Sequence, residues 1–138
     1  MFKSLFVALT LLVATPAIAA EVDCKAVNPF GESQTLNDIR LIQADGEQLI
    51  VLQSEDLAQD FLKSFDQLMS ESGKPRPSVI TEEHMKQVSI LITLRGGIME
   101  QLGLYRVGFL DKNECVLFTA NIKIEDYKTL MDKVNTGA

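Results

Sequence analysis

The amino-acid sequence predicts an α+β domain: a mostly antiparallel sheet, built from an N-terminal strand and two hairpins and packed by three helices. Three observations carry the prediction. Residues 54–73 and 124–134 space their apolar side chains for one face of a helix, each behind an acidic first turn. Two pairs of short apolar runs flank turn residues, at Asp45-Gly46 and at 111–114. Between them, residues 82–102 keep a helical phase through two adjacent glycines.

The chain starts MFKSLFVALTLLVATPAIAA. Lys3 precedes an apolar core over 5–13, followed by Pro16 and the small residues Ala17, Ala19 and Ala20. That order is a secretory signal peptide. Its core falls short of the roughly 20 apolar residues a resident membrane helix needs. Glu21-Val22-Asp23 precede Cys24 where a lipid-attachment site would have small apolar residues. The expected organisation is therefore a signal peptide over 1–20 and a single globular α+β domain over 21–138, with no stable membrane insertion after signal removal. The compartment would be the periplasm of a Gram-negative cell, or otherwise the medium.

Signal removal takes away one lysine and no acid, leaving 12 basic and 19 acidic residues and a net charge of −7. Such a balance argues against nucleic acid, whose phosphates select basic faces, and against anionic lipid surfaces. It suits a basic protein partner. Cys24 and Cys115 are the two cysteines. In an exported chain they read as a disulfide, because a redox pair has close spacing such as C-x-x-C. The bridge would tie the start of the mature chain to a late strand.

The elements follow in order. Residues 21–28 alternate as a strand, and 29–33 form a turn. Apolar runs on either side of Asp45-Gly46 read as a hairpin with a type I′ turn, pairing Ile42 with Leu49 and Arg40 with Val51. Ser54 caps a helix whose one face carries Leu57, Phe61, Leu62, Phe65, Leu68 and Met69, ended by Gly73. "GKPRPS" is a stiff exposed connector. Thr81-Glu82-Glu83 starts a second helix. The run "VSILITL" fits strand alternation only over 88–94, whereas Met85, Val88, Leu91, Ile92, Met99 and Leu102 fall on one helical side. One helix over 82–102, stopped by Gly103, is the expectation. Residues 105–110 and 115–122 form a second hairpin. Ile124, Tyr127, Leu130, Met131 and Val134 stripe the last helix.

Candidate chemistry is sparse. Gly96-Gly97 lacks both the G-x-x-x-x-G-K-[ST] and the G-x-G-x-x-G contexts of phosphate-binding loops. On the expected helix, Ser89, Thr93, Gly96 and Gly97 make a low strip that a second backbone or a ligand could approach. Arg95 falls inside the apolar face, where a guanidinium is costly unless paired. It either lays its stem on the core and reaches a polar group, or binds an anion or partner in a cleft. His84, the single histidine, sits one turn into a helix in "TEEH", which is not H-E-x-x-H. No catalytic motif, cofactor motif or metal-ligand spacing is present.

These features point to a small exported, non-enzymatic binding protein recognising a basic protein partner. Inhibitor and immunity proteins share its size, charge and compartment, an analogy resting on those three properties alone. The alternative is a small-ligand or sensory domain that binds an anion at Arg95 and the 89–97 strip. A small hydrolase with His84 as base is the third reading.

Overall fold

The computed structural model describes Cys24 and residues 34–135. The expected signal peptide, N-terminal strand and following turn lie, apart from Cys24, outside the described residues. In chain order the elements are α1 (Leu36–Ile42), β1 (Glu47–Leu52), α2 (Glu55–Glu71), α3 (Glu82–Lys86), β2 (Ile90–Gly96), α4 (Gly97–Gln101), β3 (Leu104–Leu110), β4 (Val116–Lys123) and α5 (Ile124–Asn135). The strands form one antiparallel sheet in the order β1-β2-β3-β4. The chain thus has the α+β architecture predicted, with α2 and α5 packed on one sheet face and α1 on the other.

The expectations for the helix after Ser54 and for the 105–122 hairpin hold in detail. Ser54 Oγ accepts the Leu57 N–H at 3.3 Å, and α2 buries Ala58, Phe61, Leu62 and Phe65. Each large apolar side chain buried this way stabilises the fold by roughly 1.5–3 kcal/mol. At the other end Lys74 N–H reaches Met69 O at 2.8 Å and Gly73 N–H reaches Ser70 O at 3.1 Å, with Gly73 at φ +80°. That pair of bonds is a Schellman ending, and it turns the chain sharply into the Pro-Arg-Pro connector. β3 and β4 form the predicted hairpin. Its turn is held by Asp111, whose Oδ1 accepts the N–H groups of Asn113 and Cys115 at 2.9 and 3.0 Å. Cys115 is bonded to Cys24, and both are buried.

Two expectations are overturned. Asp45-Gly46 does turn the chain, but it joins a helix to a strand. Thr35 and Asp38 make a reciprocal cap: Thr35 Oγ1 accepts the Asp38 N–H at 3.3 Å, and Asp38 Oδ2 accepts the Thr35 N–H at 2.9 Å. That box starts α1, whose Leu36 and Ile39 cover the second sheet face. Leu49 and Val51, expected opposite Ile42 and Arg40, pair with Leu94 and Ile92 of β2.

The second correction concerns residues 82–102, which are not one helix. α3 begins at Thr81 as predicted but stops after Lys86, and α4 ends at Gly103 as predicted. Between them lies β2, a central strand. Leu91 packs toward α2 and α5, while Ile90 and Ile92 pack toward α1. A strand buried on both faces has no reason to alternate, so its apolar run imitates any periodic template.

The adjacent glycines mark the end of that strand. Gly96 has φ +97° and ψ −176°, a region that residues with a Cβ avoid. A Cβ there would also run into the carbonyl oxygen of Gly46, the turn residue just before β1. The pair therefore lets two backbones meet and lets a strand pass directly into a helix.

Among the described residues, no helix is long and apolar enough to cross a membrane.

Candidate functional site

The residues singled out from sequence separate in the fold. Thr93 and Arg95 point to the side of β2 that faces the helices. Thr93 is 1 % exposed, and its Oγ1 donates to Tyr127 Oη at 3.0 Å. Arg95 places its guanidinium over the Tyr105 ring, 5.4 Å from the centroid, and Tyr105 meets Tyr127 edge-on at 5.2 Å. Arg95 is therefore matched with an aromatic face, an arrangement favourable to a partly desolvated cation. Its Nε is buried without a hydrogen-bond partner.

Ser89 sits at the opposite end of β2 from Gly96 and Gly97, seven residues or roughly 23 Å away along a strand. It lines a separate open depression of about 430 Å³ with Lys86, Asp111 and Lys112. His84 closes a capping box: its Nδ1 lies 3.0 Å from both Thr81 N and Thr81 Oγ1. Its ring orients the start of α3. The 89–97 strip thus does not converge on one surface. Among the described residues, no group of three or more His, Cys, Asp or Glu side chains gathers where it could hold a metal ion.

The structure instead assembles a groove of about 270 Å³ that includes none of those six residues. One wall is the edge of α2, with Leu62, Phe65, Asp66 and Met69. The connector supplies Lys74, Pro75, Arg76, Pro77 and Ile80, α3 adds Met85, and Phe118, Thr119 and Ala120 of β4 close the far side. Each wall has a local cause. The Schellman ending of α2 aims the connector back along the helix. Ile80 N–H bonds Pro77 O at 3.0 Å and rounds its end. Gln59 of α2 donates to the carbonyls of Met85 and Val88 at 2.9 and 2.8 Å, which pins α3 beside α2. The floor continues into the aromatic core, where Phe65 and Phe118 both contact Phe109, with ring centroids 5.6 and 4.7 Å away.

Arg76 gives the groove its one unusual polar feature. Its side chain is 23 % exposed, and one nitrogen, Nη2, pairs with Glu82 Oε2 at 2.9 Å. Glu82 is itself 75 % exposed, and an ion pair with so open a partner contributes about 1 kcal/mol at most. The other nitrogen, Nη1, is buried with no hydrogen-bond partner. An unsatisfied buried donor costs about 1–3 kcal/mol. Half of the guanidinium fork is therefore left without a hydrogen-bond partner.

Sequence reasoning missed this groove because α2, the connector, α3 and β4 meet only in the fold. The one available signal was an arginine held between two prolines in a connector otherwise read as a linker.

Comparison with protein-family models, with curated proteins and with solved structures finds no match to this chain.

Proposed function

We propose that the chain is an exported, non-enzymatic binding protein that takes a small apolar ligand into the groove between α2, the 74–80 connector and β4. The observation that carries this reading is the groove itself: a concave, mainly apolar volume of about 270 Å³ whose floor is continuous with the core. Preformed apolar concavities with a few polar groups are where small ligands bind. Export is supported by the composition of residues 1–20 and by the Cys24–Cys115 bridge, which forms and persists in oxidising compartments.

The test uses the uncharged dye N-phenylnaphthylamine, whose emission rises in apolar surroundings. Saturable enhancement is expected with the purified protein. Ala120 is a small, partly buried residue of the groove wall. Ala120→Phe should fill the groove and weaken dye binding about tenfold, the loss of roughly 1.4 kcal/mol, while the circular dichroism spectrum stays unchanged. Dye binding unaffected by Ala120→Phe would sink the reading. Steady turnover of a panel of esters, peptides or glycans would overturn its non-enzymatic part.

A second reading keeps a basic protein as partner. It is favoured by the outward side of the helix layer. Glu55, Asp56, Asp60, Glu71, Glu125 and Asp132 are exposed there against Lys63, Lys128 and Lys133. Capture of a basic exported protein that is released by salt would favour this surface over the groove.

A further inference from the structure

The unmatched nitrogen of Arg76 has a consequence for what the groove selects. Resting on the groove reading above, we infer that the ligand is a medium-chain monocarboxylic acid, with its carboxylate on Arg76 and its alkyl chain along α2 and β4.

Four observations lead there. Arg76 holds Glu82 through Nη2 alone, while Nη1 is buried and unpaired. A carboxylate matches the planar fork of a guanidinium with two parallel hydrogen bonds, which a hydroxyl or an ester carbonyl cannot do. Glu82 is mostly exposed, so it holds Arg76 from the water side, where the pair is weakest. A ligand carboxylate would arrive from the apolar side, where the same attraction is screened less. Because Nη1 is shielded from solvent, the carboxylate takes over the fork only once the Arg76 side chain turns toward the groove.

The second observation is the charge of the lining, which carries Lys74 and Arg76 against Asp66. With Glu82, which Arg76 already holds, these charges balance, so one negative charge fits in exchange for Glu82 on the guanidinium. A phosphate or dicarboxylate would bring a second negative charge toward Asp66.

Size is the third. At roughly 30 Å³ per non-hydrogen atom, the share of one molecule in liquid water, the groove takes about nine such atoms. That is close to octanoate.

The fourth is the character of the walls. Met69 and Met85 offer unbranched, adaptable side chains to a flexible chain. Phe65 and Phe118 give the alkyl tail an apolar end point.

The experiment is displacement of N-phenylnaphthylamine by octanoate, octanol and methyl octanoate, each below its aggregation limit, from the wild-type protein and from Arg76→Gln. Octanoate is expected to compete about tenfold better than either neutral compound, the gain of a charge-assisted bond. Arg76→Gln should erase that preference, read as the ratio of octanoate to octanol competition within the variant, with an unchanged circular dichroism spectrum showing that it is folded. Equal competition by acid, alcohol and ester would overturn the acid assignment and leave the groove reading intact. A preference for acid that survives Arg76→Gln would overturn the role of Arg76. No displacement by any of the three, together with dye binding insensitive to Ala120→Phe, would overturn both. A short apolar peptide with a free C-terminus that outcompetes octanoate, where its amidated form does not, would replace the fatty acid as occupant.

Discussion

Replacing Gly96 by alanine is expected to destabilise the protein by about 3 kcal/mol or more. Two costs add at this position. A residue with a Cβ held in so rare a backbone region costs of order 1–3 kcal/mol. The new methyl group also meets the backbone carbonyl of Gly46 and the Cα of Glu47, which cannot swing away as a flexible side chain could. Relieving the overlap would push β1 off the Gly96 end of β2, where Glu47 and Gly96 are paired. For a domain of this size the melting temperature should fall by about 10–20 °C. Gly73 is the control. It also has a positive φ, at +80°, but a Cβ there meets nothing within 4 Å. Gly73→Ala should cost only about 1–2 kcal/mol, from the left-handed backbone alone. Thermal or urea unfolding followed by circular dichroism separates the two. Equal losses at both positions would mean that close backbone approach is not what Gly96 provides.

The second large effect is loss of the disulfide. Cys24 and Cys115 are 91 residues apart with Cα atoms at 5.4 Å. In the chain-entropy picture, closing a loop of that length restricts the unfolded chain by an amount worth roughly 4–5 kcal/mol. Reduction, or Cys24→Ala with Cys115→Ala, should lower the melting temperature by about 10–20 °C. The surroundings of Cys115 reinforce the expectation. Its N–H bonds Asp111 Oδ1 and its carbonyl accepts the Asp111 N–H, so the sulfur sits on a fixed turn. Two titratable thiols in unreduced protein and a melt insensitive to reductant would show that the bridge is not formed.

These features differ in how far the sequence announced them. α2 and the β3–β4 hairpin were legible because each is specified locally. A capping serine, a helical stripe and a terminal glycine sit within one element, and the hairpin carries its own turn. β2 was not legible, since its burial on two faces is a property of the sheet around it. The 35–52 region held two honest local signals that pointed different ways. Asp45-Gly46 is a turn, but Thr35 and Asp38 had already started a helix, and covering the second sheet face decided between them. Among the candidate site residues, the sequence raised the question of what Arg95 pairs with, and the answer, Tyr105, lies ten residues on in the neighbouring strand. The groove was the least visible feature, because its walls belong to four elements and no two of them share a motif.

The order of strands has a further consequence, for the time course of folding. β2, β3 and β4 follow one another through α4 and the turn at 111–115, so their pairings close short loops. β1 reaches β2 only across α2 and α3, with Glu47 opposite Gly96. Short closures are fast and long ones carry more entropy. The topology therefore favours a three-stranded meander first, with β1 arriving afterwards. Until it arrives, the apolar edge of β2 is open to the β1 segment of another molecule, the exchange that produces swapped dimers. Dimers that increase with protein concentration during refolding are the expected trace. Monomeric recovery at every concentration would show that β1 docks before two chains can meet.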